Sequence, residues 1–172
     1  MSLDFKKIIE LADFRLLENF ARDIWEEHYI PIIGAAQVSF MMAKFQKAEL
    51  MYQQSREGLY EFYLVYASGQ MAGYVSFASH QDELFISKFY LEKSFRGKGC
   101  AREILRFLEA MAKKEGLKRM GLTVNKFNAG SIRAYQNLGF DIVAPVVIDI
   151  GGGFVMDDYR MEKHLAEAES NY

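Results

Sequence analysis

A glycine-containing turn between a strand pattern and a helix pattern is the feature that most constrains this fold. It lies in the segment Phe89–Arg102, where Gly97 and Gly99 come just before an amphipathic stretch. The first amides of an α-helix have no acceptors within the helix, and the helix dipole favours negative charge beside them. Four basic side chains make the segment locally positive: Lys93, Arg96, Lys98 and Arg102. We therefore expect an anion site, the alternative being an ordinary glycine turn with solvated lysines.

Two common nucleotide-binding motifs do not fit this turn. A dinucleotide-binding fingerprint needs a third glycine at position 102, where the chain has Arg102. A Walker A loop needs Ser or Thr after its Gly-Lys pair, whereas Lys98 is followed by Gly99. The residues alone therefore predict an anion site and leave the anion open.

Composition bounds the class of protein. The 172 residues are 51% hydrophobic, which is typical of a folded chain, and the length fits one domain over residues 1–172. One cysteine excludes a disulfide framework, and no Cys/His cluster has metal-site spacing. The 23 acidic and 21 basic residues give no global attraction to nucleic acid, and no apolar run approaches the ~18 residues that span a bilayer. We expect a soluble cytoplasmic protein without metal, nucleic-acid or membrane partners, and a frayed tail over 166–172.

The hydrophobic periodicity predicts elements in the order β-α-α-β-β-β-α-β-α-β-β. Helical spacing covers Asp13–Tyr29, Ala35–Arg56 (one helix or a broken one), Gly99–Gly116 and Ala129–Leu138. After a first strand, the strand patterns are Tyr60–Ala67, Met71–Ser79, Leu84–Leu91, Lys118–Val124, Phe140–Ile150 and Phe154–Glu162. This order predicts an α/β domain whose sheet mixes hairpins with helical crossovers.

Two motifs in this order resemble the GNAT family of acetyl-CoA-dependent N-acetyltransferases. Arg96-Gly97-Lys98-Gly99-Cys100-Ala101 is similar to the Arg/Gln-x-x-Gly-x-Gly/Ala acyl-CoA loop of that family. The segment Asn128–Phe140 is similar to its Asn…Tyr…Gly-Phe segment. The strong resemblance covers residues 84–140 and extends loosely to 5–164. It implies a single α/β domain of the α+β type, with a mixed, mostly antiparallel central sheet of about six to seven strands flanked by helices.

The resemblance also implies a binding mode for acetyl-CoA as co-substrate. In the family, backbone groups at Phe89 and Leu91 hydrogen-bond the pantetheine arm, and the turn amides hold the pyrophosphate. The implied cofactor-binding set is Phe89, Tyr90, Leu91, Arg96, Gly97, Lys98, Gly99, Cys100, Ala101, Arg102, Asn128 and Tyr135. Tyr135 would lie near the sulfur, where a phenol of pKa about 10 can give a thiolate a proton. The alternative for Tyr135 is a core aromatic residue on a short helix.

The acceptor side carries weaker signals. A primary amine must attack as the neutral form, and Glu83 is a candidate base, the alternative being a solvated loop carboxylate. Trp25, Tyr29 and Met41 are candidates to line an acceptor pocket. Four acids are candidates to bind a cationic amine, the alternative being solvated helix and strand faces: Glu26, Glu27, Asp157 and Asp158. The run from Ile150 to Lys163 resembles a branch of small bacterial GNAT proteins similar to polyamine acetyltransferases.

The first functional hypothesis is therefore acetyl transfer from acetyl-CoA to a primary amine of a small cationic molecule such as a polyamine. A second hypothesis makes the acceptor a protein or peptide amine. A third is a non-catalytic acyl-CoA-binding module. The sequence also leaves a homodimer open.

Overall fold

The elements of the structure follow the hydrophobic pattern of the sequence. The computed structural model describes residues 2–166. The strands are β1 (Leu3–Lys7), β2 (Glu61–Ala67), β3 (Gln70–His80), β4 (Glu83–Leu91), β5 (Arg119–Asn125), β6 (Asp141–Gly151) and β7 (Phe154–His164). The helices are α1 (Leu11–Ile33), α2 (Ala35–Phe45), α3 (Ala48–Arg56), α4 (Cys100–Lys114) and α5 (Ala129–Asn137), with a 3₁₀ turn at Lys93–Phe95.

The strands form one sheet in the order β1-β2-β3-β4-β5-β7-β6. The β1–β2, β2–β3, β5–β7 and β6–β7 ladders are antiparallel. β4 and β5 are parallel and pair at Glu83–Phe85 with Arg119–Gly121. The predicted fold class, an α+β chain with a mostly antiparallel sheet of six to seven strands flanked by helices, is thus confirmed.

By the density of its contacts, the described chain divides into two compact units. The N-terminal unit comprises residues 2–77 and Lys88–Cys100, and the C-terminal unit comprises Ala78–Ser87 and residues 101–166. The single domain predicted over residues 1–172 stays a prediction, and residues 167–172 of the predicted tail lie outside the described residues. Within residues 2–166, no helix has the length and hydropathy needed to cross a bilayer.

Most predicted boundaries shift by a few residues, and the helical region over 35–56 is broken. It divides into α2 and α3 because the backbone N–H of Ala48 donates to Glu18 Oε2 at 2.8 Å. The Lys47 ammonium also pairs with Glu18 Oε1 at 3.2 Å. A side chain of α1 therefore supplies the acceptor that the start of α3 needs. α1 is longer than the predicted Asp13–Tyr29, and it keeps Pro31 in its last turn.

The core of the N-terminal unit joins α1 to the sheet. Phe14 of α1 and Phe62 of β2 are fully buried, and their rings meet edge to face at 5.1 Å. Further along the sheet, Gly73 of β3 lies so close to β4 that a Cβ there would collide with the main-chain oxygen of Tyr90. The absence of a side chain at Gly73 therefore lets β3 and β4 approach at this point.

We expect Gly73→Ala to lower the free energy of unfolding by about 1–3 kcal/mol, the usual cost of overpacking, because the colliding atom belongs to the backbone. Chemical denaturation of both proteins measures this difference. The control is Gly130→Ala in α5, where a Cβ meets nothing within 4 Å and alanine favours the helix. Equal stability of the Gly73→Ala variant and the parent protein would contradict the close approach.

Candidate active site

The turn between β4 and α4 has backbone geometry suited to an anion. Gly97 and Gly99 have φ angles of 72° and 84°, in the left-handed region that residues with a Cβ rarely adopt. A Cβ at either position would meet no atom within 4 Å, so the space beside the turn is open. α4 begins immediately afterwards at Cys100 and is 15 residues long. The first amides of such a helix lack acceptors within it, so the turn can hold a phosphate group.

Hydrogen bonds within the N-terminal unit fix where this turn begins. The backbone N–H of Glu92 donates to the carbonyl of Ala72 at 2.9 Å, which ties the end of β4 to β3. The Arg96 Nε donates to the carbonyl of Leu91 at 2.9 Å. The Glu92 carboxylate accepts from the backbone N–H of Ser94 at 3.0 Å, which caps the 3₁₀ turn. The segment that leads into the glycines is therefore held at both ends.

The last turns of α1 also contact this segment. The Lys93 ammonium pairs with the Glu27 carboxylate at 3.2 Å, and Arg96 Nη1 lies 3.5 Å from His28 Nδ1. Arg96 was predicted to bind the cofactor. Its guanidinium bridges the end of β4 and α1, which positions the turn, and its contact with the cofactor stays a prediction.

Two predicted acceptor residues, Trp25 and Tyr29, lie in an aromatic cluster of the N-terminal unit. The Trp25 ring centroid lies 4.6 Å from that of Tyr29 and 5.5 Å from that of Tyr90 on β4. Trp25 is only 4% exposed, and its Nε1 donates to the Tyr74 hydroxyl at 3.2 Å. That hydroxyl donates in turn to Gln46 Oε1 at 3.4 Å. Trp25 therefore has a structural role that supports Tyr90, the middle residue of the predicted pantetheine-binding segment.

The third predicted acceptor residue, Met41, is buried on α2. A groove of about 370 Å³ that is open to solvent is lined by other residues of α1 and α2, among them Val38 and Met42. Glu18 and Glu26 contribute negative charge to its walls, and Arg22 and Lys47 contribute positive charge. Because these charges balance, the groove shows no preference for a cationic amine.

The remaining predicted cofactor residues of the β4–α4 segment differ in exposure. Phe89 and Tyr90 are half-buried, whereas Leu91 and Cys100 are buried. Gly97, Lys98, Gly99 and Arg102 are exposed, and Ala101 is half-buried at the start of α4. The buried Cys100 thus packs as a small residue at the helix start, and the open surface of the turn is made of backbone and basic side chains.

In the C-terminal unit, Asn128 and Tyr135 are positioned by α5. Asn128 is 3% exposed, and its Oδ1 accepts from the backbone N–H of Ser131 at 3.3 Å, capping the helix. Its Nδ2 is buried without a hydrogen-bond partner among residues 2–166. Tyr135 is half-buried, and its ring meets that of Phe140 at 5.8 Å. A buried amide donor without an acceptor is costly, so Asn128 fits a site where a ligand supplies one.

Glu83 is not the solvated loop residue of the alternative interpretation. It is the first residue of β4, and its carboxylate forms an ion pair with Arg160 of β7. The Arg160 guanidinium also pairs with Glu162 at 3.3 Å and lies 5.4 Å from the centre of the Phe85 ring. The Glu83 carboxylate is therefore held by a cation of its own chain, which opposes its use as a base.

Asp157 and Asp158 of β7 have different surroundings. The Asp157 carboxylate, predicted to bind a cationic amine, pairs with the Lys126 ammonium at 2.6 Å. Asp158 is 5% exposed, and its carboxylate accepts a hydrogen bond from the Thr123 hydroxyl of β5. Burial raises the pKa of Asp158 to about 6. Among residues 2–166, no three His, Cys, Asp or Glu side chains are placed to hold a metal ion.

A sequence profile identifies the family. The acetyltransferase (GNAT) family profile matches residues 17–140, which is most of the chain and includes both motifs. The chain belongs to the GNAT family.

The chain is also similar to individual acetyltransferases. The uncharacterized N-acetyltransferase YdgE of Bacillus subtilis is 38% identical over 60 residues, which cover 35% of this chain and 38% of YdgE. The PaiA N-acetyltransferase of Thermoplasma acidophilum, solved with coenzyme A, has a TM-score of 0.79 at 21% identity over 96% of this chain and all of that one. YncA of Salmonella typhimurium, solved with acetyl-CoA, has a TM-score of 0.65 at 19% identity. The match covers 100% of this chain and 99% of that one. These two structures show that the fold is shared.

One notable residue of this GNAT chain was missed by the sequence analysis. Lys88 of β4 is 8% exposed and forms no ion pair within the described chain. Burial lowers its pKa to about 8. The sequence did contain an indication of this burial. Every second residue of a strand faces the same side, so Lys88 shares a face with the core residues Leu84 and Ile86. A lysine at the third inward position could have been singled out on that basis.

We expect Lys88→Met to stabilise the fold at pH 7 by up to about 3 kcal/mol, because it removes a buried unpaired cation. The lysine pKa is lower in the folded state than in the unfolded one, so the parent regains this stability as the pH rises from about 8 to 10.5. The advantage of the variant should therefore shrink by pH 10. Denaturation at both pH values measures it, with Lys114→Met on the exposed face of α4 as control. An advantage independent of pH would contradict the burial of a charged Lys88.

Proposed function

We propose that this GNAT chain transfers the acetyl group of acetyl-CoA to a primary amine of a small cationic molecule such as a polyamine. The amine attacks the thioester directly in a ternary complex. The observation that carries the proposal is the turn of Gly97 and Gly99, with positive φ angles and open space, immediately before α4 in a member of this family. The match to YdgE spans only 38% of that relative, so the activity of this chain rests on the turn and the family rather than on that relative.

The turn fits the diphosphate of coenzyme A. In the proposed complex, the amides from Gly97 to Ala101 bind the pyrophosphate, and Lys98 and Arg102 add positive charge at its edge. Backbone groups at Phe89 and Leu91 bind the pantetheine arm. When bound, acetyl-CoA supplies an already activated thioester, so the protein needs no covalent intermediate of its own. Positioning and polarisation of the carbonyl then supply most of the rate enhancement.

Asn128 and Tyr135 are the predicted cofactor-contacting side chains of the C-terminal unit. The unpartnered Asn128 Nδ2 donates to an acceptor on the cofactor, which would remove the cost of burying it. The Tyr135 hydroxyl donates a proton or a hydrogen bond to the departing thiolate, as a phenol of pKa about 10 can do at neutral pH.

The acceptor amine must lose a proton before it attacks. A lysine-like amine of pKa about 10.4 is neutral in roughly one molecule in 2,500 at pH 7, which corresponds to ~4.6 kcal/mol. Glu83 remains a predicted base, although its carboxylate is already engaged in an ion pair with Arg160. Asp157 and Met41 remain predicted acceptor-binding residues, as does the aromatic pair of Trp25 and Tyr29.

Two other functions make different predictions. A protein or peptide amine as acceptor predicts turnover with peptides and little with polyamines. A non-catalytic acyl-CoA-binding module predicts binding of coenzyme A without turnover of any amine. The homodimer stays a prediction; the edge strand β6 exposes the apolar side chains of Val143, Val147 and Ile148.

We expect Gly99→Ala to weaken coenzyme A binding at least tenfold, because the Cβ strains the left-handed backbone and occupies the open side of the turn. Calorimetric titration of coenzyme A into each protein measures the affinity. The control is Gly58→Ala, which places the same strain, at φ 70°, in an open turn after α3. Unchanged affinity in the Gly99→Ala variant, or no binding to the parent protein, would overturn the proposed pyrophosphate site.

We expect Tyr135→Phe to lower kcat by about 10²–10⁴-fold on the best amine, the usual contribution of a general acid, with little change in coenzyme A affinity. Thiol release from acetyl-CoA is measured across polyamines, amino acids, aminoglycosides and peptides. Tyr52→Phe is the control, since that hydroxyl accepts a hydrogen bond from Arg56 at the exposed surface of α3. Parent-like turnover by the Tyr135→Phe variant would rule out the proton-donor role.

A further inference from the structure

The carboxylate of Asp158 differs from those of Glu83 and Glu162 on the same sheet face. In an antiparallel ladder, residues in register share a face, and those next to Asp158 are Asn125 of β5 and Val146 of β6. Along this face, Glu83 and Glu162 both pair with Arg160. Asp158 has no ion-pair partner within residues 2–166, and its one side-chain donor is the Thr123 hydroxyl. A carboxylate has about four acceptor positions, so it retains capacity for a bound cation.

Asp158 lies at the corner of the C-terminal unit where β5 ends and the chain turns toward α5. Its register partner Asn125 is the last residue of β5, and the backbone N–H of Lys126 donates to the carbonyl of Asp157 at 3.0 Å. Asn128, the capping residue of α5, follows two positions later. Ligands of sheets with parallel strands bind beyond the carboxyl ends of those strands. Asp158 therefore belongs to the same corner as the helix that carries Tyr135.

We propose that Asp158 is the group that binds the ammonium of the acceptor and accepts its proton. This inference rests on the proposed function and adds the proton acceptor to it. The ammonium R–NH₃⁺ transfers one proton to the carboxylate, leaving R–NH₂ and the neutral acid. The nitrogen lone pair then forms the C–N bond to the acetyl carbon, and the C–S bond breaks with its electron pair on sulfur. The nitrogen loses its second proton as the intermediate collapses, and the thiolate takes up one proton by way of the Tyr135 hydroxyl to leave as the thiol. Asp158 returns its proton to water after product release.

The surroundings of Asp158 suit this role. Burial raises its pKa to about 6, and the negative charge of Asp157 acts in the same direction, whereas Thr123 and Lys126 oppose the shift. A carboxylate of pKa about 6 is a roughly hundredfold stronger base than an ordinary aspartate of pKa about 3.9. Of the arginines along this face, Arg160 is paired with Glu83 and Glu162, and Arg119 is paired with Asp82. Beside Asp158, β6 contributes the uncharged Val146.

The kinetic test compares Asp158→Asn with the parent, using spermidine as the amine. We expect kcat/KM for the amine at pH 7 to fall at least 100-fold, while the affinity for coenzyme A changes less than twofold. The parent profile of kcat/KM against pH should show an inflection near pH 6 that the variant lacks. Asp141→Asn, at the exposed start of β6, is the matched control and should keep both the rate and the inflection. A variant with parent-like rate and pH profile would overturn the proposal.

A second measurement does not depend on turnover. Calorimetry of spermidine binding to the coenzyme A complex at pH 6, repeated in buffers of different ionisation enthalpy, counts protons released. An ammonium beside Asp158 favours the carboxylate, so the parent should release up to about half a proton that Asp158→Asn does not release. Equal proton release by both proteins would overturn the proposal even where the parent is active.

Folding and the proposed function have separate controls. Because the charged carboxylate is penalised by burial, Asp158→Asn should unfold at the same or a higher temperature than the parent at pH 7. A lower unfolding temperature would contradict the assigned environment of Asp158. If the parent binds coenzyme A but turns over no amine and binds no spermidine, the proposed function fails and this inference fails with it. If the parent is active and Asp158→Asn is equally active, the proposed function stands and Asp158 is not its base.

Discussion

The attachment of the end of β4 is the constraint on which the candidate site depends. The Glu92 N–H bond to Ala72 and the Arg96 Nε bond to Leu91 determine where the strand stops. Only then can the left-handed Gly97 and Gly99 turn the chain so that α4 begins at Cys100. The dipole and free amides of a helix bind an anion only where the helix begins, so a shift of one residue would redirect every donor.

Two buried ionisable groups, Lys88 and Asp158, lie without ion-pair partners in separate units of the described chain. Each lowers the stability of the fold at neutral pH, because burial penalises the charged form of the side chain. A chain selected for stability alone would not need a buried ionisable group without an ion-pair partner at either position. Such groups are concentrated where function requires them, although structural roles also shift pKa values. Asp158 has the further support of its place beside the start of α5, whereas Lys88 has no such support and carries no proposal.

The sequence predicted the elements and the turn because both are local. Helical and strand periods are read over short windows, and the spacing of Arg96, Gly97 and Gly99 is contiguous. The sequence could not predict the ion pair of Glu83 with Arg160. These residues are 77 positions apart and meet through two registers, that of β4 with β5 and that of β5 with β7. The sequence also could not predict the hydrogen bond from Thr123 to Asp158, which distinguishes Asp158 from the adjacent Asp157. The break between α2 and α3 likewise depends on Glu18, a residue of another helix.

Proton balance explains why the proposed reaction benefits from two groups rather than one. The nitrogen enters as an ammonium and leaves as an amide, so it gives up two protons, whereas the sulfur takes up one as the thiol. The first proton must leave before attack, which requires a base that is ionised near neutral pH, and a carboxylate satisfies this where a phenol of pKa about 10 does not. The second leaves as the tetrahedral intermediate collapses, when the thiolate needs a proton. Tyr135 can donate to sulfur and be restored by that second proton, while Asp158 delivers the first to water. The pKa of each group therefore matches its step: Asp158 accepts the first proton of the ammonium, and Tyr135 donates the proton to sulfur.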